Sequence, residues 1–141
     1  MKRLFLVLGL AALLAACSTD HSSINGTWTA MLTDTNGTQA FNLTTSLTAV
    51  SNNGLNITNL TFNTQQACFP GTSTATGSFV VSGTFNGVTG GGFQMTVNSS
   101  SGSNQLQLNG ALHNNTISGT WTLTGSTSGC TGSGTFTMNK S

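Results

Sequence analysis

The sequence predicts an all-β domain in which eight antiparallel strands form an up-and-down meander that closes into a barrel. Three observations lead there. From Ile24 onward apolar and small polar residues alternate with a period of two, and no segment sustains the spacing of an amphipathic helix. Tight-turn dipeptides such as Asn53-Gly54 and Asn86-Gly87 punctuate that alternation. Each stretch is also too short, and too apolar on one face, to stand alone in water. Closure into a barrel shields that face and removes the sheet edges. A two-layer β-sandwich would bury the same face and is the alternative. A membrane-spanning barrel would turn it to lipid, but aromatic girdles are not evident and tyrosine is absent.

The first strand is expected over Ile24 to Thr33, with Ile24, Gly26, Trp28, Ala30 and Leu32 on one face and Thr27, Thr29 and Thr33 opposite. Asp34 to Gly37 makes the turn. Phe41, Leu43 and Leu47 share a face in the second strand, which ends before Asn53-Gly54. The third starts at Leu55 and carries a phase break, because Leu55 and Ile57 have one parity while Leu60 and Phe62 have the other. A β-bulge near Thr58 or Asn59 reconciles them. A loop holding Cys68, Phe69, Pro70 and Gly71 leads to the fourth strand, with Phe79, Val81 and Phe85 on its apolar face. The fifth is expected after the glycines Gly90 to Gly92 and offers Phe93, Met95 and Val97. The sixth offers Leu106, Leu108 and Leu112, the seventh Ile117, Trp121 and Leu123, and the eighth Phe136 and Met138 opposite Thr135 and Thr137.

Ahead of this domain stand Lys2 and Arg3, then an apolar run from Leu4 to Leu14 broken only by Gly9, then small residues. That order is a secretory signal, and the run is too short to span a bilayer. Leu14-Ala15-Ala16-Cys17 resembles the lipobox of bacterial lipoproteins. The resemblance implies a diacylglyceryl group on the Cys17 thiol, cleavage after Ala16, and anchoring to the membrane by two or three acyl chains, such as palmitate. It divides the chain into a signal peptide at 1–16, a lipidated cysteine and tether at 17–23, and a barrel domain at 24–140. Ser18 after the cysteine, where an aspartate is absent, implies an outer-membrane address if the bacterium has two membranes.

Cleavage would remove Lys2 and Arg3, leaving Lys140 against Asp20 and Asp34 in a nearly uncharged chain. Nucleic-acid binding needs a basic face to neutralise phosphates, and none can be built here. No enzyme is expected either. Asp20 and His21 fall in the tether, Asp34 and His113 in turns, and no nucleophile elbow supports a triad of a serine with His113 and Asp34. No catalytic residue, cofactor or metal ligand is therefore assigned: the histidines and cysteines lack zinc-ligand spacing, and no glycine loop cradles a phosphate.

Cys68 and Cys130 are expected to form a disulfide in an exported chain. In a meander both fall in loops at one end of the barrel, so the bridge should draw the loop around Thr64 to Thr74 across or beside that mouth. The first strand begins at the opposite end, where the tether arrives.

Ile24-Asn25-Gly26-Thr27-Trp28-Thr29 recurs as Ile117-Ser118-Gly119-Thr120-Trp121-Thr122, with echoes at Gly83-Thr84-Phe85 and Gly134-Thr135-Phe136. Glycine on the same face as a ring suits the inside of a small barrel. Gly26-Thr27-Trp28 on the first strand resembles the Gly-x-Trp start of the calycins, the lipocalin and avidin group of β-barrels, which implies a barrel able to hold a small molecule. The late arginine that packs over the tryptophan in lipocalins is missing, with only Lys140 near the end. Trp28, Phe79, Phe93, Trp121 and Phe136 are the residues that either fill the core or face a small apolar ligand. Thr27/Thr29, Thr120/Thr122 and Thr135/Thr137 form a solvated face or a flat array for ice or glycans. Two functions are expected to compete: a non-enzymatic, lipid-anchored envelope lipoprotein whose barrel is either closed as a stable module or holds a small apolar ligand, and a structural or adhesive protein meeting glycans or another envelope protein through its Thr/Asn-rich face.

Overall fold

A computed structural model describes residues 22–63, 67–85 and 88–141. A 3₁₀ turn at Ser22–Ile24 is followed by eight strands: β1 (Gly26–Asp34), β2 (Gln39–Ala49), β3 (Gly54–Phe62), β4 (Thr74–Phe85), β5 (Val88–Asn98), β6 (Asn104–His113), β7 (Thr116–Gly125) and β8 (Gly132–Lys140). Each strand pairs antiparallel with the next, and β8 returns to β1, so the sheet closes into a barrel. The meander barrel is thus the architecture, and the sandwich is excluded. Cys17 and the signal segment lie outside the described residues, as does the expected Asn86-Gly87 turn.

The alternation read from the sequence sorts side chains as a closed sheet requires. Trp28, Ala30 and Leu32 on β1, Leu106, Leu108 and Leu112 on β6, and Phe136 and Met138 on β8 all join one buried core. Both ends of the barrel are stoppered. At one end the 3₁₀ turn buries Ile24, whose carbonyl accepts from Trp28 Nε1 at 2.8 Å. Lys140 lies there too, its Nζ 5.8 Å from the Trp28 ring centroid and donating to the Ser23 carbonyl at 3.1 Å. A late cation over the tryptophan is therefore present, supplied by lysine. At the other end the β3–β4 loop is fastened to the β7–β8 loop by the Cys68–Cys130 disulfide, with a Cα–Cα distance of 5.5 Å.

The phase break in β3 is a bulge. Thr44 pairs with Thr61 and Ser46 with Thr58, so Thr45 alone faces Asn59 and Leu60, and Asn59 takes φ +52°. Asparagine tolerates that left-handed conformation better than most residues. Thr45 points inward and is fully buried, and its hydroxyl donates to the Thr58 carbonyl at 3.0 Å. A buried hydroxyl and a carbonyl at the distorted ladder thus satisfy each other.

Two boundaries differ from expectation. Ile24 belongs to the 3₁₀ turn, and β1 begins at Gly26, where φ is +141°. Glycine is the residue that accepts such a bend. β5 begins at Val88, so Gly90 to Gly92 lie within the strand rather than before it. A Cβ on Gly91 would stand 2.7 Å from Phe79 Cε2 and 2.4 Å from the Val80 carbonyl oxygen. The glycine makes room for a neighbouring ring instead of breaking the strand.

Candidate functional site

Trp28, Phe79, Phe93, Trp121 and Phe136 are all between 0% and 3% exposed. Phe93 and Phe136 approach at 6.3 Å between centroids, and Phe41 meets Trp121 edge-on at 5.5 Å. Trp121 Nε1 donates to the Thr33 carbonyl at 2.9 Å. The rings pack against protein, and both tryptophans also donate their N–H to a backbone carbonyl, as core residues do. Trp121 also lines two openings beside Asp34, of about 520 and 380 Å³, and a more capacious one lies in the wall of the barrel.

β3 and β4 pair only at Gly54↔Ser78 and Leu55↔Gly77, then part. Gly77 stands at the fork. A Cβ there would lie 2.6 Å from the Gln94 carbonyl oxygen and 3.0 Å from Ile57 Cδ1. Beyond it the bulged half of β3 and the first residues of β4 form two walls of a cleft of about 880 Å³. Its apolar lining comes from Ile57, Leu60, Phe62, Phe69 and Ala75, its polar lining from Thr58, Asn59, Thr61, Thr72 and Ser73. Among the described residues no charged side chain lines it. The volume falls within the range of about 300 to 1,000 Å³ usual for small-ligand sites.

The roof of the cleft is the stapled loop. Phe69 is 4% exposed and stacks on Phe62, the planes 3° apart and the centroids at 4.4 Å. Asn104, at the start of β6 and 2% exposed, donates through Nδ2 to the Cys68 carbonyl at 2.8 Å and to Thr127 Oγ1 at 3.2 Å. Ser100 Oγ donates to the Pro70 carbonyl at 2.9 Å. One disulfide, one buried amide and one ring stack therefore hold the loop over the mouth, as the cysteine positions foretold. Asn104 was missed, although it shares the inward parity of Leu106 and Leu108.

Asp34 and His113, among the polar groups considered for catalysis, are far apart, and Asp20 and His21 lie outside the described residues. Asp34 lies at the cystine end, where its carboxylate accepts from the backbone N–H of Asn36 and Thr38 at 2.8 and 2.9 Å, closing its own turn. His113 ends β6 at the opposite end and is exposed. A triad built on Asp34 and His113 is excluded by that separation. No group of three or more His, Cys, Asp or Glu that could hold a metal occurs among the described residues. The outward threonines do form rows: Thr29 pairs with Thr44 on one side and Asn139 on the other, and Thr120 pairs with Thr135. Barrel curvature bends these rows around the wall.

Residues 1–18 match the family model of the prokaryotic membrane lipoprotein lipid attachment site, a stretch that includes Cys17. No curated protein and no solved structure matches the chain. An attachment site at the amino terminus, followed by a closed eight-stranded barrel with a Cys68–Cys130 bridge, makes this chain a lipid-anchored bacterial envelope lipoprotein with a β-barrel fold.

Proposed function

We propose that the protein is a non-enzymatic binding module, carried on the acylated Cys17, that takes an uncharged and partly apolar ligand into the cleft between β3 and β4. The observation that carries this reading is the cleft itself: about 880 Å³ beneath a fastened roof, lined by Ile57, Leu60, Phe62, Phe69 and Ala75. The expected apolar ligand is thereby moved from the barrel axis, where rings pack on one another, to the barrel wall. A cleft without charged lining favours occupants that lose little hydration energy on entry.

Native mass spectrometry of the lipidated protein, purified in mild detergent, tests the proposal. A stoichiometric small adduct on the wild type that is absent from Ala75→Arg supports it, and ligand-free spectra for both refute it. Cys17→Ala is expected to shift the protein from the membrane to the soluble fraction, because each buried methylene contributes about 0.8 kcal/mol to anchoring. With Ser18 next to the cysteine we assign the outer membrane in a two-membrane bacterium, and Ser18→Asp should move the protein to the inner-membrane fraction.

The second reading, an adhesive envelope protein, draws on the outward rows around Thr29, Thr44, Thr120 and Thr135. Co-purification of glycan with the wild type, lost on Thr29→Lys/Thr120→Lys substitution, would favour it.

A further inference from the structure

The cleft exposes main chain as well as side chains, and the direction of that main chain follows from the hydrogen bonds on either side of it. In a strand, successive residues direct their N–H and C=O groups to opposite neighbours. The Gly54 carbonyl accepts from Val50 N, toward β2, whereas the Asn53 carbonyl accepts from Phe79 N, toward β4. Carried along the strand, this alternation turns the main-chain groups of Ile57 toward β4. Past the bulge the phase is reset by Asn63 N, which donates to the Asn42 carbonyl on the β2 side, so Phe62 faces the β4 side as well. On the opposite wall Gly77 is the last residue of β4 in register with β3, and Ala75, two residues before it, has the same phase. The register gives neither Ile57 nor Phe62 a partner on β4. The side chains of Ile57, Phe62 and Ala75 meanwhile line the cleft, and Ser73 Oγ is buried at its wall with no hydrogen-bond partner.

We infer that the occupant of this cleft is an extended, uncharged segment of another protein, which enters as an added strand and pairs its main chain with the free edge of β3. Small apolar molecules would fill the volume but leave those donors and acceptors unanswered. A strand satisfies them, because an open sheet edge is complementary to another strand. Side-chain alternation then sets the specificity: every second residue of the segment points toward Ile57, Leu60 and Phe69, and the residues between face water. The uncharged lining excludes a segment with acidic or basic residues at the inward positions. The roof anchored by Cys68–Cys130 keeps β4 and the loop in place while the segment docks.

This inference rests on the cleft being the ligand site, and the test separates the two. The lipidated full chain in detergent micelles is used to select from short random peptides displayed on phage, with Ala75→Arg as the counter-selected protein and Gln107→Arg, on the exposed face of β6, as a control. Enriched peptides should alternate apolar with small polar residues and lack charge at the apolar positions. N-methylation of alternate peptide amides, which spares the side chains, should weaken binding by on the order of tenfold or more for the phase that faces β3. Amide NMR shifts should move at Ile57, Phe62 and Ala75.

Equal binding by N-methylated peptides in both phases would overturn strand pairing while leaving a cleft that takes ligands by side-chain contact. No enrichment over Ala75→Arg would overturn the peptide, and a small-molecule adduct in native mass spectrometry would still uphold the site. Self-association of the wild type that Ala75→Arg abolishes would assign the edge to a second copy of this chain and overturn the separate partner. N-methylation is read on the wild-type protein, so the result stands even if the arginine variant fails to fold.

Discussion

Removing the Cys68–Cys130 bridge should cost most of what loop closure contributes. The cysteines are 62 residues apart in sequence. In the chain-entropy treatment a loop of that size lowers the entropy of the unfolded chain by about 14 cal/mol/K, which is about 4 kcal/mol at room temperature. That is a large share of the roughly 5 to 15 kcal/mol by which most domains are stable. The paired variant Cys68→Ala/Cys130→Ala leaves two methyl groups where the bridge lay, and the Asn104 bond to the residue 68 carbonyl can persist because it uses main chain.

Urea unfolding followed by tryptophan fluorescence reads the change, since Trp28 and Trp121 are both buried. With a urea slope of about 1.5 kcal/mol/M the midpoint should fall by roughly 2 to 3 M. Hydrogen exchange should show the loss at residues 67–73 and along Ile57–Phe62, with β5 to β8 less affected. A midpoint within about 0.5 M of the parent would refute the reasoning, because it would mean that the bridge joins loops already fixed in the unfolded ensemble.

Thr45→Val keeps the shape but leaves the Thr58 carbonyl without its donor at the bulge, so we expect a loss of about 1 to 3 kcal/mol in the same urea assay, while Thr48→Val on the exposed face of β2 stays within about 0.5 kcal/mol. Asn104→Leu removes the donor to the Cys68 carbonyl and to Thr127, and should cost about 2 kcal/mol. Its effect should be non-additive with loss of the disulfide in a double-mutant cycle, because both restrain one loop. Lys140→Met retains a long side chain over Trp28 but loses the ammonium contact with the ring and the bond to Ser23, for an expected loss of about 1 kcal/mol in thermal unfolding.

Much of the barrel was legible because its signals are local. Met95 and Val97 flanked by Gln94, Thr96 and Asn98 fix the faces of β5 by parity alone, and the same holds for β6 and β8. The bulge was legible for the same reason: Leu55 and Phe62 are both buried, and only an extra residue between them allows it. The cysteine pairing followed from export of the chain, and the meander brings the β3–β4 and β7–β8 loops that hold the two cysteines to one end.

What escaped depends on contacts between strands. Gly91 reads as a strand breaker until Phe79 is seen across the ladder, occupying the space of its side chain. The parting of β3 from β4 has no signature in either strand, since it arises where the bulge and the fastened loop together draw Ile57–Phe62 away from its neighbour. The candidate cleft was therefore invisible in the sequence, and the aromatic residues read as either core or ligand contacts are buried in the interior. Lys140 stood out near the end of the chain, but only the register, which sets it on β8 opposite Trp28, shows it covering the ring.

The opening between β3 and β4 and the turn that receives the tether lie at opposite ends of the barrel. A strand of nine residues such as β3 rises about 3.3 Å per residue and tilts by about 40° in a closed barrel, so that end stands roughly 20 Å from the membrane-proximal rim. Acyl chains on Cys17 would hold the tether end of the barrel toward the membrane and the cleft away from it. On the proposed function, a ligand would then reach the cleft from the aqueous side, and lipids within the leaflet would pass beneath it.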